Sequence, residues 1–223
     1  NRPVLNATTY NTNSNYIIPP YVSLTNNGTL SSVSTGQYLN AGSKTFNVNT
    51  NGGFTAIWFG AFTGSIGFSE RIFDFGNGSP TDNILVFRSG TSTTISFHMY
   101  NGSTAYTVTS ASGTIVQNEY AVWTFRYTAS TRLMEILKNG VSLATSTAAA
   151  AITDKTLTNT WIGRSLWGAD AYSNINTVGF YAYSNFITDA NVATISNHLM
   201  YCTTSTMPSI LPDYNNKIVR YGS

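Results

Sequence analysis

Trp161-Ile-Gly-Arg-Ser-Leu-Trp-Gly-Ala-Asp-Ala-Tyr-Ser-Asn-Ile-Asn-Thr-Val-Gly-Phe-Tyr-Ala-Tyr183 is the stretch whose reading decides the fold. A strand enters at Trp161. An aromatic loop, Leu166 to Asn174, carries Trp167, Asp170 and Tyr172, and a second strand leaves from about Asn176. Just behind it, Thr188 is placed to cap a helix over residues 189 to about 200, where Val192, Ile195 and Leu199 fall on one face. No comparable helical pattern occurs upstream, so the chain ahead of this closing strand is read as β.

Working outward, the strands come at hairpin spacing. Phe54-Thr-Ala-Ile-Trp-Phe-Gly-Ala-Phe62 is apolar on both alternating faces, the mark of a strand covered on two sides. Arg71–Phe75 and Asp82–Arg88 flank a Gly/Asn/Pro turn. Thr94–Tyr100 and Thr104–Ser110 are joined at Asn101-Gly102, and Leu133–Lys138 and Val141–Ala144 at Asn139-Gly140, the dipeptide that best tolerates positive φ. Tyr120–Thr128 alternates Trp123, Phe125 and Tyr127 against Val122, Thr124 and Arg126. Two short extended pieces, Tyr21–Thr25 and Gln37–Ala41, precede these strands, and Ala148–Ala151 is too short for a packed helix and reads as loop. Ten or more strands with one late helix predict an all-β, two-sheet antiparallel jelly-roll sandwich with one short C-terminal helix. Residues 1–20, ending in Pro19-Pro20, read as a lead-in or linker, 21–202 as the sandwich domain, and 203–223 as an irregular tail.

Composition narrows the function classes. Charged residues make up 9% of the 223, and the formal net charge is +2. No Lys/Arg cluster offers a phosphate-tracking groove, so nucleic acid is not an expected partner. No run approaches the ~18 apolar residues of a bilayer span, so membrane insertion is not expected. Cys202 is the single cysteine, which rules out an internal disulfide. Asn-x-Ser/Thr triplets at Asn6, Asn27, Asn77 and Asn101 mildly favour an extracellular, cell-surface or virion-surface location. The first residue is Asn, and the chain is read as a processed product or an excised piece.

The order of motifs resembles the laminin-G-like branch of the concanavalin A-like lectin/glucanase superfamily over roughly residues 21 to 200. Its carriers are Gln37-Tyr-Leu-Asn-Ala-Gly42, Phe54–Phe59, Arg71-Ile-Phe-Asp-Phe-Gly76, Ala121–Phe125, Leu137–Val141, Trp161–Arg164 and the Thr188-Asp189-Ala190 ending. The resemblance implies two face-packed antiparallel sheets and largely non-catalytic binding of glycans or proteins. It also implies calcium at the sandwich rim, with Asp82 and Asp154 as the matching carboxylates and Asn159 as a further oxygen donor. The competing reading is that Asp82 caps a turn and Asp154 pairs with Lys155.

An enzyme of this fold needs a reactive constellation. Related glycosidases place acids two apart on one strand, ~6.5–7 Å apart, and no such pair occurs; Glu70 and Asp74 would lie ~13 Å apart if extended. A lyase would need His98, Arg126, Tyr127, Tyr181 and Tyr183 to share one face. We therefore expect no enzyme but a recognition module, carbohydrate-binding or adhesive, meeting a glycan or surface protein. The alternatives are a structural domain that self-associates or packs on assembly neighbours, and a carbohydrate-active enzyme. Two candidate sites follow. One is the loop with Arg164, Trp167, Asp170, Tyr172 and Asn174, in which Trp167 serves as a sugar platform or else folds back as a lid on the core. The other is a face carrying His98, Tyr100, Arg126, Tyr181 and Tyr183.

Overall fold

A computed structural model describes residues 38–64, 69–89, 92–170 and 173–201, and the backbone of 210–212 and 218–220. The lead-in, the extended piece Tyr21–Thr25, Tyr172 and Cys202 lie outside the described residues. In chain order the strands are β1 (Leu39–Asn40), β2 (Lys44–Phe46), β3 (Gly53–Phe62), β4 (Glu70–Gly76), β5 (Ile84–Arg88), β6 (Ile95–Asn101), β7 (Thr104–Thr109) and β8 (Ala121–Thr128). Then follow β9 (Leu133–Lys138), β10 (Val141–Thr147), β11 (Lys155–Leu157), β12 (Asn159–Ile162), β13 (Ile175–Tyr183) and the helix α1 (Asp189–Tyr201). The tail, expected to be irregular, instead pairs β14 (Ile210–Pro212) with β15 (Ile218–Arg220).

Two antiparallel sheets form the sandwich. One has six strands in the order β1-β12-β4-β5-β6-β7, the other five in the order β10-β9-β8-β3-β13. Their inner faces meet in one apolar core that includes Phe54, Trp58, Phe73, Phe75, Phe97, Phe125, Tyr127 and Phe180. Edge-on ring pairs knit it together, such as Phe73 with Phe180 at 5.3 Å and Trp58 with Phe62 at 5.3 Å. The single indole donor of Trp58 is met by Thr177 Oγ1 at 2.9 Å, which satisfies a polar atom that burial would otherwise strand.

The two-sided apolar pattern of β3 has a physical counterpart. Phe54, Ala56, Trp58 and Phe62 enter the inter-sheet core, while Ile57 and Phe59 face outward into a second cluster with Val122, Leu137, Tyr181, Ile187, Val192 and Leu199. That cluster is α1 packed across the outer face of the five-stranded sheet. Arg126 pins it there: its guanidinium bonds Glu135 Oε2 at 2.7 Å, Ile187 O at 3.0 Å and the Asp189 carboxylate, beneath the Phe186 ring. The Asn139-Gly140 loop has positive φ at both residues, as a tight hairpin with this dipeptide requires. The other hairpin turns one residue later than expected, over Gly102-Ser103, and Asn101 ends β6.

Candidate functional site

Among the described residues, the outer face of the six-stranded sheet carries no helix. One rung of cross-strand neighbours runs Asn40, Trp161, Asp74, Leu85, His98, Thr107. On the neighbouring rung stand Arg71 and Phe87. Arg71 reaches this face because β4 carries a bulge: register against β5 shifts between Arg71 and Phe73. The extra residue, Ile72, joins Phe73 and Phe75 in the core, so Arg71 and Asp74 both point outward.

The loop between β12 and β13 folds down onto this face. Gly163, at φ +81, takes a conformation that side-chain-bearing residues avoid and turns the chain out of β12. The loop is then held almost entirely by β4. Asp74 Oδ2 accepts the Leu166 amide at 2.9 Å, Arg71 Nη2 bonds Asp170 Oδ2 at 2.8 Å, Ser173 donates its hydroxyl to Arg71 O, and Glu70 Oε1 accepts the Asn174 amide. Ser165 Oγ adds a 2.7 Å bond to the same Asp170 oxygen and accepts the Trp167 amide at 3.0 Å. Gly76 makes room for this closure, since a Cβ there would lie 2.3 Å from Asn83 Nδ2 and 2.9 Å from Leu166 Cδ1.

Arg71, only 5% exposed, lies at the centre. Its guanidinium is 4.7 Å from the Phe87 ring centroid and 5.1 Å from that of Trp167, and it also donates to Ser69 O and, at 3.5 Å, to Asp74. Around it the rings form a strip: Trp167 to Tyr100 at 6.2 Å, Tyr100 to His98 at 6.2 Å, His98 to Phe87 at 4.9 Å. At the β1–β12 edge, Arg164 stacks on Trp161 at 4.3 Å and Tyr38 at 4.7 Å.

Burial tunes the ionisable groups. It pushes the His98 imidazole down to about 4, helped by the charge of Arg71, so His98 is neutral at pH 7. It raises Asp74 above the ordinary carboxylate range against the pull of Arg71, and raises Glu70 to about 7 despite the ion pair with Arg88. The Tyr100 phenol is raised too, first by burial, with Arg71 opposing.

The structure regroups the residues singled out from sequence. Arg164, Trp167, Asp170, His98 and Tyr100 share one outer face. Trp167 is half-buried over Arg71, so it is no lid on the inter-sheet core. Asp170 clasps the loop, and Asn174 anchors its end through the backbone. Arg126, Tyr181 and Tyr183 belong to the opposite sheet, beside or beneath α1, and Tyr127 lies in the core with its hydroxyl accepting the Ile152 amide. The second candidate face is thereby split, and the lyase set with it. Arg71, Phe87, Asp74 and Trp161 are the face residues that sequence reasoning passed over as site candidates.

Asp82 and Asp154 do not suit calcium as they stand. Asp82 Oδ1 takes the Gly102 amide at 2.8 Å and Lys155 Nζ at 3.0 Å, and the Lys155 side chain is 1% exposed. A bound cation would have to displace that ammonium. Asp154 organises the turn after β2, accepting the Asn49 and Thr50 amides and the Thr50 hydroxyl, and the Thr50 bonds hold its carboxyl below the usual range. Lys155 therefore pairs with Asp82, not Asp154. Asn159 donates its side-chain NH2 to Gly76 O and Thr158 Oγ1, bonds that do not involve its Oδ1. Among the described residues, no group of three or more His, Cys, Asp or Glu is placed to hold a metal ion.

No protein-family model and no curated protein sequence matches this chain. Solved structures do. The CBM40 of the Ruminococcus gnavus IT-sialidase, bound to α2,3-sialyllactose, superposes with a TM-score of 0.56 at 12% identity, covering 74% of this chain and 99% of its own. The SAP-like pentraxin of Limulus polyphemus gives 0.54 at 13% identity, with 75% and 81% covered. What they share with this chain is the two-sheet antiparallel β-sandwich fold. The Trypanosoma rangeli sialidase also matches, at TM-score 0.53 and 14% identity, over 80% of this chain but 30% of the sialidase. At such identities the likeness is one of fold.

Proposed function

We propose that this lectin-type sandwich is a non-catalytic recognition module whose six-stranded sheet binds a glycan on its outer face, beside the Leu166–Asn174 loop. The observation that carries this reading is the strip Trp167, Tyr100, His98 and Phe87, gathered around a buried arginine on a face that no helix of the described residues covers. Aromatic faces stack on the apolar faces of sugar rings, and the polar tips beside them bond hydroxyls. The CBM40 neighbour bound to α2,3-sialyllactose supports a glycan as the partner. The way the carboxylates nearest the strip are engaged supports binding without hydrolysis. Asp74 is fully buried and bonded to Asn83, Leu166 and Arg71, while Asp170 is taken by Arg71 and Ser165. Neither is left to act as acid, base or nucleophile. An adhesive role on a cell or virion surface, within the laminin-G-like branch, is the finer form of the same reading.

A broad glycan array tests it. We expect signal from the native protein and loss of that signal in Trp167→Ala, with the melting temperature within a few degrees of the parent. No signal on plant, algal and animal glycans would sink the proposal.

One observation favours a second reading, packing against assembly neighbours. The outer strand β10 exposes Val141 at 64% and Leu143 at 40%, large apolar side chains on a strand with one edge unpaired among the described residues. Sedimentation in dilute solution decides it: self-association that Val141→Lys abolishes supports packing, and a strict monomer counts against it.

A further inference from the structure

We propose that the unit seated on Trp167, Tyr100 and His98 is an uncharged sugar, not a carboxylated one; this rests on the glycan-binding reading of the same face and specifies its ligand. The argument begins with the guanidinium beneath the strip. Arg71 is already matched: Asp170 meets it at 2.8 Å and Asp74 at 3.5 Å. Even with Asp74 protonated, the Arg71–Asp170 pair is neutral, and with Asp74 ionised the cluster is net negative. His98, the remaining basic group of the strip, is uncharged at pH 7. A ligand carboxylate would therefore give up its hydration shell without meeting an unmatched cation, a cost that a sugar hydroxyl avoids. Arg164, the other arginine of the face, is stacked on Trp161 and Tyr38 at the β1–β12 edge, whereas the strip lies over β4 to β6.

What the strip does present suits hydroxyls. Among the described residues, no protein group hydrogen-bonds the Trp167 indole N–H, the Tyr100 hydroxyl or the His98 ring nitrogens, and none of these atoms is among the fully enclosed polar atoms left without a partner. The indole donates. The phenol donates and accepts. A neutral imidazole offers one donor and one acceptor. Three polar tips of mixed sense on adjoining rings complement a ring of sugar hydroxyls, each of which both donates and accepts. The CBM40 neighbour that is bound to an acidic trisaccharide shares the fold at 12% identity, and fold alone does not carry ligand charge.

The test uses matched neutral and acidic probes on the intact chain. These are an array holding neutral glycans beside their sialylated or uronate counterparts, lactose against α2,3-sialyllactose, and methyl-esterified against free polygalacturonic acid. The neutral partner should bind at least about tenfold more tightly, and little should change as salt rises from about 0.05 to 0.5 M, because no charge pair is being screened. Tyr100→Phe, which removes only the hydroxyl, should weaken neutral binding a few-fold at unchanged melting temperature. Asp170→Asn, which uncovers the charge of Arg71, should raise affinity for the acidic partner. Binding confined to acidic partners, or weakened steeply by salt, overturns the inference while leaving glycan recognition standing. No binding to any member of the array overturns both.

Discussion

Burying an acid and an imidazole in one small domain gives each a calculable effect on stability. Burial pushes the Glu70 carboxyl up to about 7 from its ordinary 4.5, so between these limits the folded state keeps a proton the unfolded state has released. Stability contributed this way falls as pH climbs through that window, by on the order of 3 kcal/mol, and Asp74 acts with the same sign. His98 works in reverse: lowered to about 4 from 6.5, it makes the unfolded state the better proton binder, so stability falls as pH drops from 6.5 to 4. The two slopes oppose each other between pH 4.5 and 6.5, and the parent should show a shallow urea-midpoint profile there. Glu70→Gln should turn that profile acid-labile, and His98→Gln should make it steepen toward higher stability in acid. Equal profiles in all three proteins would contradict the burial of both groups. Arg71 shows why part of the site was hidden in the sequence. Strict alternation along Arg71-Ile-Phe-Asp-Phe75 sets Arg71 on the face of Phe73 and Phe75, and only the bulge at Ile72, made against β5, sends it outward. By contrast Trp167, Asp170 and Arg164 were legible as candidates, because a loop between two framework strands has no other need of such side chains.

The long strands and the helix were readable element by element, since each carries a period of its own. The three-residue strands β2 and β11 were not: no period develops in three residues, and they exist through pairing with each other across more than a hundred positions. The partner of α1 was equally invisible. Its apolar stripe, Val192 with Leu199, fits any apolar sheet face, and the choice of the five-stranded sheet depends on Ile57, Phe59 and Val122 turning outward there. Arg126 was misread for the same reason, as a ligand contact where it is a helix anchor. Arg126→Ala should cost about 3–5 kcal/mol, because Glu135, 8% exposed, is left without its counter-charge. The loss should appear as a lower urea midpoint. Glycan binding, on the opposite sheet, should be retained wherever the variant remains folded.

At the scale of the molecule, the rim and the two outer faces are stabilised by different means. The rim is tied by Lys155 between Asp82, Asn101 and Thr153. A chelator should accordingly leave the melting temperature unchanged, while Asp82→Ala lowers stability by about 1–3 kcal/mol, through a buried ammonium deprived of its counter-charge. An EDTA-sensitive melt would reverse this and restore calcium to the rim. The five-stranded sheet is covered by a helix through apolar burial. Among the described residues, the six-stranded sheet is covered only in part, by a loop fastened through Glu70, Arg71 and Asp74. Such a covering has its own opening equilibrium. In hydrogen-exchange terms the amides of Leu166, Trp167, Asp170 and Asn174 should form a single cooperative unit, sharing one opening free energy well below that of β3 and β8. They should slow together when a ligand occupies the strip, while the rest of the sandwich exchanges as before.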